Sequence, residues 1–116
     1  MQEQNMNTDD RAVRIRRLND GLRTTGNGGQ MVVTNGIASQ PPETAHAIYQ
    51  AIESFTGFTE DNDPWGEHDC ASLTVDGVRV IWKIDYYDRS RQFLSADPTD
   101  PKQTVRVLTI MLAEEY

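Results

Sequence analysis

The sequence predicts an α+β fold: an antiparallel sheet with a central β-hairpin and helices packed on one face, in the order α-β-α-β-β-β-α. Three observations carry this expectation. Apolar residues recur at spacings of three and four at Ala12, Ile15, Leu18 and Leu22, and again at Ala45, Ile48, Tyr49, Ile52 and Phe55, which is the pattern of one helix face. Apolar residues then alternate on both sides of Asp76-Gly77, a pair favoured in two-residue hairpin turns. A length of 116 residues with 37% hydrophobic content suits one domain and leaves no room for a second core.

The first seven residues are polar and are expected to form a disordered tail, with a single domain over 8–116. Thr8 is a suitable helix N-cap, and Asp9 and Asp10 place negative charge where the helix dipole favours it. Arg14, Arg16 and Arg17 lie off the apolar stripe and read as a solvated face. The glycines of Thr25-Gly26-Asn27-Gly28-Gly29 would let a backbone approach a phosphate. No Lys-Ser/Thr pair follows them, however, and helix precedes strand, so the segment reads as a connection. Met31, Val32 and Val33 then suggest a short buried strand closed by Asn35-Gly36. Pro41-Pro42-Glu43 starts the second helix, and Gly57 is placed to stop it. His46 lies beside that stripe without a ligand-spaced partner.

In the hairpin, pairing Val75 with Val78 sets the register: Leu73 with Val80, Ala71 with Trp82, Asp69 with Ile84. The opposite face then pairs Cys70 with Lys83 and His68 with Asp85. A short third strand is expected after Tyr86. Asp100-Pro101-Lys102-Gln103 resembles a capping box opening a final helix over 101–115, with Val105, Leu108, Met111 and Leu112 inward, although Val105, Val107 and Ile110 also suit a strand.

Charge and cysteine content exclude several classes. Net charge is −7, and positions 24–78 contain no Lys or Arg while holding Glu43, Glu53, Glu60, Asp61, Asp63, Glu67, Asp69 and Asp76. An anionic block of this kind repels a phosphate backbone, so direct nucleic-acid binding is not expected. Cys70 is the one cysteine, which excludes an internal disulfide and a thiolate zinc cage. No apolar run reaches the roughly 18 residues of a membrane span, and the N-terminal residues lack the pattern of a secretion signal, so a cytoplasmic location is expected.

The chemistry concentrates in 58–69, Phe-Thr-Glu-Asp-Asn-Asp-Pro-Trp-Gly-Glu-His-Asp. Asp61-Asn62-Asp63 opens like a calcium loop and has Gly66 at the sixth position, but Ser72 stands at the twelfth, where an EF-hand needs glutamate. Two readings of the loop stay open. In the first, Glu60, Asp61, Asp63, Glu67 and Asp69 form an acidic docking face with Trp65 as aromatic anchor. In the second, a metal-dependent hydrolase, Asp61, Asp63, Glu67, His68 and Asp85 are the candidate ligands of a divalent metal, or the loop acids bind the metal and His68, held by Asp85, acts as general base. The first needs no cofactor and no catalytic residue; against both stands the plain reading, in which the acids only confer solubility, Trp65 packs inward and His68–Asp85 is an ordinary cross-strand pair. Cys70 would serve as a nucleophile only if His68 reached it and a nearby cation lowered its pKa.

Three segments, 58–69, Trp82-Lys83-Ile84-Asp85-Tyr86-Tyr87-Asp88 and 106–116, resemble hallmark segments of the DUF3768 family, a bacterial domain of unknown function. The resemblance extends from about Arg14 onward and implies a context of mainly alphaproteobacterial chromosomes and plasmids. Small acidic proteins of mobile elements often inhibit host defence. The expectation that follows is a non-enzymatic acidic protein bound to a basic surface. If that surface normally holds DNA or RNA, as in a restriction enzyme or a CRISPR effector, the chain would act as a nucleic-acid mimic.

Overall fold

The computed structural model describes residues 8–116, and the tail expected at 1–7 lies outside them. The chain runs α1 (Thr8–Thr25), β1 (Gln30–Val33), α2 (Asn35–Ala38), α3 (Pro42–Glu53), β2 (Cys70–Val75), β3 (Val78–Tyr87) and β4 (Val105–Leu112), and closes with a 3₁₀ turn at Ala113–Glu115. The four strands form one sheet in the order β1-β4-β3-β2, antiparallel except for the parallel pair β1 and β4.

The hairpin follows the expected register. Val75 pairs with Val78, Leu73 with Val80 and Ala71 with Trp82, and the Ile84 amide donates to the Asp69 carbonyl. Asp76 and Gly77 both have positive φ, 52° and 77°, the requirement of a turn whose twist matches the strands it joins. Ala71, Val80, Trp82, Ile84, Leu108 and Ile110 point to one side, where Leu22 of α1 and Ile48 and Ile52 of α3 close over them. Period-two strands and period-3.6 helices thus bury matching stripes.

The C-terminal segment is a strand, not the expected helix. Val105, Val107, Thr109 and Ile110 are stiff at χ1 and suit a pleated surface. As β4 the segment pairs Trp82 with Ile110 and Ile84 with Leu108, burying alternate residues against the helices. The capping-box residues make a turn instead: the Asp100 carboxylate accepts from the Lys102 amide and the Gln103 side chain. The strand expected after Tyr86 reduces to one bridge, Tyr87 with Leu94, because β3 itself runs on to Tyr87.

Two further expectations are corrected. Met31, Val32 and Val33 are exposed, since β1 is an edge strand with β4 on one side only. Asn35-Gly36 does not simply close β1 but opens α2, which buries Ile37; the Glu115 carboxylate accepts from the Thr34 hydroxyl and the Gly36 amide there. Among the described residues no helix is long and apolar enough to cross a membrane.

Candidate functional site

The segment between α3 and β2 is held in place by its own side chains. The Asn62 side chain accepts from the Thr59 amide at 2.7 Å and donates to the Gly57 carbonyl at 2.9 Å. Asp63 turns inward, 8% exposed, and its Oδ1 accepts from the amides of Glu67 and His68 at 3.1 and 3.2 Å. A carboxylate spent on two backbone N–H groups organises a loop as an N-cap organises a helix start. From α1, Arg16 donates to the Gly66 carbonyl and Asn19 to the Glu67 carbonyl.

His68 adopts φ 55°, a left-handed conformation that costs a non-glycine residue roughly 1 kcal/mol. This backbone turn ends the β2 ladder at Cys70 and swings the imidazole away from Asp85, so the expected His68–Asp85 pair does not form. The ring stacks on Phe58, with centroids 3.7 Å apart and planes 5° from parallel. Its Nδ1 lies 2.9 Å from Asp20 Oδ1 and its Nε2 3.7 Å from Asp63 Oδ2. Asp85 is instead taken by Lys83 Nζ at 2.6 Å, which raises the lysine pKa.

Behind the loop lies a buried polar network that sequence reasoning missed. Arg23, 5% exposed, donates to the carbonyls of Ile52, Glu53 and Phe55 at the end of α3 and pairs with Asp20 at 3.0 Å. Its guanidinium lies 5.4 Å from the Phe58 ring centroid and 5.6 Å from that of Trp82. Arg106, 2% exposed, donates from Nε to Asn19 Oδ1 at 2.8 Å and lies over Tyr86. The Tyr86 hydroxyl donates to Glu67 Oε1 at 2.8 Å. The signal was present in α1, where Asn19 and Arg23 extend the Ile15–Leu22 stripe as polar residues one turn apart.

The structure therefore divides the acidic residues into two groups. Asp63 is buried, and Glu67 is half-buried and tied to Tyr86. Asp69 is half-buried, and burial first, then the Glu67, Asp63 and Asp85 charges, push its carboxyl pKa up. Glu60 and Asp61 are exposed, and Trp65 between Pro64 and Gly66 is 76% exposed. On the sheet face away from the helices, Asp69, Cys70, Lys83 and Asp85 line a cleft of about 420 Å³ together with Asn62 and Tyr116. Burial and the Asp69 and Asp63 charges raise the Cys70 thiol pKa, which keeps it protonated and a poor nucleophile. Among the described residues no group of three or more His, Cys, Asp or Glu converges in a way that could hold a metal ion.

Comparison with known proteins gives one family, described as protein of unknown function (DUF3768), which matches residues 33–115. No curated protein and no solved structure matches the chain.

Proposed function

The chain belongs to the DUF3768 family, whose match covers 33–115, and from the geometry of the acidic loop we propose that it is a non-enzymatic binding protein of the cytoplasm that docks onto a basic protein surface through Glu60, Asp61 and Trp65. The observation that carries this reading is the 76% exposure of Trp65 on a loop fixed by side-chain and α1 hydrogen bonds. A large aromatic left in water on a rigid loop has little ordering entropy left to lose on binding, and its burial supplies the contact energy. The flanking carboxylates steer a cationic surface toward it. Asp63, Glu67 and Asp69 add to the local field, while Asp63 and Glu67 hold the loop's shape. A partner whose basic surface normally holds DNA or RNA fits this chemistry, and the chain would then compete with nucleic acid.

The alternative, a metal-dependent hydrolase using Asp61, Asp63, Glu67, His68 and Asp85, asks those side chains to share one point. Asp85 is occupied by Lys83, Glu67 by Tyr86, and His68 faces inward between Asp20 and Asp63. The test of the binding reading is capture from bacterial lysate with three forms of the protein: parent, Trp65→Ala and Glu60→Lys/Asp61→Lys. Both variants are expected to lose the captured partner, added DNA to displace it, and salt to weaken it. Equal capture by all three forms would remove the loop as the docking surface.

A further inference from the structure

The chain also carries a surface complementary to that loop. After β3 the backbone reverses through 88–94, where the Asp88 amide donates to the Phe93 carbonyl, the Arg91 amide to the Asp88 carbonyl, and the Ser90 hydroxyl to the Asp88 carboxylate. These bonds fix a tip on which Arg89 and Arg91 are exposed beside Phe93, 68% exposed, and Leu94, 75% exposed. Among the described residues Arg89 and Arg91 have no ion pair, and neither do Glu60 and Asp61. In a protein of net charge −7, two cations flanking Ser90 are thus without an ion pair among the described residues, next to two apolar side chains in water.

The two tips belong to the same end of the sheet. The acidic loop enters β2 at Cys70, opposite Lys83, and the basic tip leaves β3 at Tyr87, so both connect at that end of the hairpin. Their roots are joined by the hydrogen bond from Tyr86 to Glu67. One tip offers two carboxylates and an indole, the other two guanidiniums, a phenyl ring and a leucine. Arginine over the indole face adds cation–π attraction to the ion pairs, and apolar burial of Phe93 and Leu94 adds the desolvated contact.

We propose that two copies of the chain pair through these tips, the Glu60/Asp61/Trp65 loop of each docking on the Arg89/Arg91/Phe93/Leu94 tip of the other. A two-fold axis makes each contact twice, and the placement of both tips at one end of the sheet allows that closure. The proposal rests on the reading of the acidic loop as a docking surface and adds the second copy as an occupant, which a basic partner would have to displace.

A charge-swap experiment tests it, read by sedimentation velocity across a concentration series. The parent is expected to self-associate reversibly, more weakly as salt rises. Glu60→Lys/Asp61→Lys alone and Arg89→Glu/Arg91→Glu alone should each raise the dimer dissociation constant by about tenfold or more, since like charges then face each other. Mixing the two variants should restore the dimer: the new lysines face the new glutamates in one half, and native acids face native arginines in the other. Phe93→Ser should abolish self-association while leaving Glu60, Asp61 and Trp65 free to capture a basic partner. A parent that stays monomeric at about millimolar concentration, or a mixture no more associated than its components, overturns the pairing. Loss of partner capture in the Trp65 variant would leave the docking reading standing in that case. Rescue by mixing without any captured partner would sustain the pairing alone.

Discussion

His68 Nδ1 lies 2.9 Å from Asp20 Oδ1, joining residues 48 apart in sequence and fastening the acidic loop to α1. The same imidazole is stacked face to face on Phe58, which in turn meets Trp82 edge-on at 6.0 Å. A residue that sequence patterning places on a solvated sheet face is therefore a joint between loop, helix and core.

Replacing His68 by Ala removes the hydrogen bond and the stack and is expected to cost about 1–3 kcal/mol. His68→Gly should recover up to about 1 kcal/mol of that loss although it is the smaller residue, because φ 55° suits glycine. Urea unfolding of the two variants measures the difference. An alanine form as stable as the glycine form would show that the left-handed backbone carries no strain.

The two tryptophans should behave in opposite ways. Trp82 is fully buried and contacts Phe55 and Phe58, so Trp82→Ala is expected to cost about 3–5 kcal/mol. Trp65→Ala should stay within about 0.5 kcal/mol of the parent, as surface changes do. Unfolding midpoints check both. A large loss at Trp65 would mean that the indole supports the loop, which would undercut its use as a free anchor.

The legible part of the fold was the part written in periodicity. The α3 stripe, the Asp76-Gly77 turn and the alternation around it fixed which residues face the core, and the register followed. The last element was ambiguous because Val105, Leu108, Met111 and Leu112 satisfy a helical stripe while Val105, Val107 and Thr109 share a strand face. Long-range pairing with β3 decided between them, and no local signal encodes that. The site was half legible for the same reason. The density of acids in 58–69 marked the loop, but His68 pairing with Asp20 instead of Asp85 depends on a left-handed backbone at a non-glycine residue and on a helix that lies more than forty residues earlier in the chain.

Asp69 gives a pH test with a defined sign. Its folded-state pKa is raised, chiefly by burial and then by Glu67, so the folded chain holds the Asp69 proton more tightly than the unfolded chain does. The ionised group therefore costs stability at neutral pH, and the cost disappears as pH falls below the ordinary carboxylate value of about 4. Asp69→Asn is expected to be more stable than the parent at pH 7, with the two curves converging near pH 4. The raised pKa is the opposite of what hydrogen bonding gives Asp97 and Glu115, whose lowered values make the parent lose stability in acid. Comparing mutant with parent at each pH isolates Asp69. A difference that grows as pH falls would reverse the assignment.

Arg106 is the one cation of β4, and its position explains how the two central strands, β4 and β3, hold the loop. Its Nε donates to Asn19 Oδ1, one of its terminal nitrogens donates to the Pro98 carbonyl, and its plane lies over Tyr86, whose hydroxyl reaches Glu67. Asn19 completes the circuit by donating to the Glu67 carbonyl and the Tyr86 hydroxyl. Burial lowers the Arg106 pKa, yet a guanidinium stays charged at neutral pH, so removing its partners strands a buried cation. Arg106→Ala removes the cation but leaves a cavity over Tyr86 and the Asn19 and Pro98 oxygens unpaired, and is expected to cost about 3–5 kcal/mol; Arg106→Lys should recover little, because an ammonium lacks the planar fork that bonds Asn19 and stacks on Tyr86 together. Since Arg106 and Asn19 share one network, a double-mutant cycle with Asn19→Ala should give a coupling of about 1–3 kcal/mol. Hydrogen exchange supplies the second readout: in Asn19→Ala the Glu67 and His68 amides, which Asp63 holds in the parent, should exchange faster while those of β3 do not. Additive losses in the cycle, with unchanged exchange in the loop, would mean that the network packs the core without supporting the acidic face.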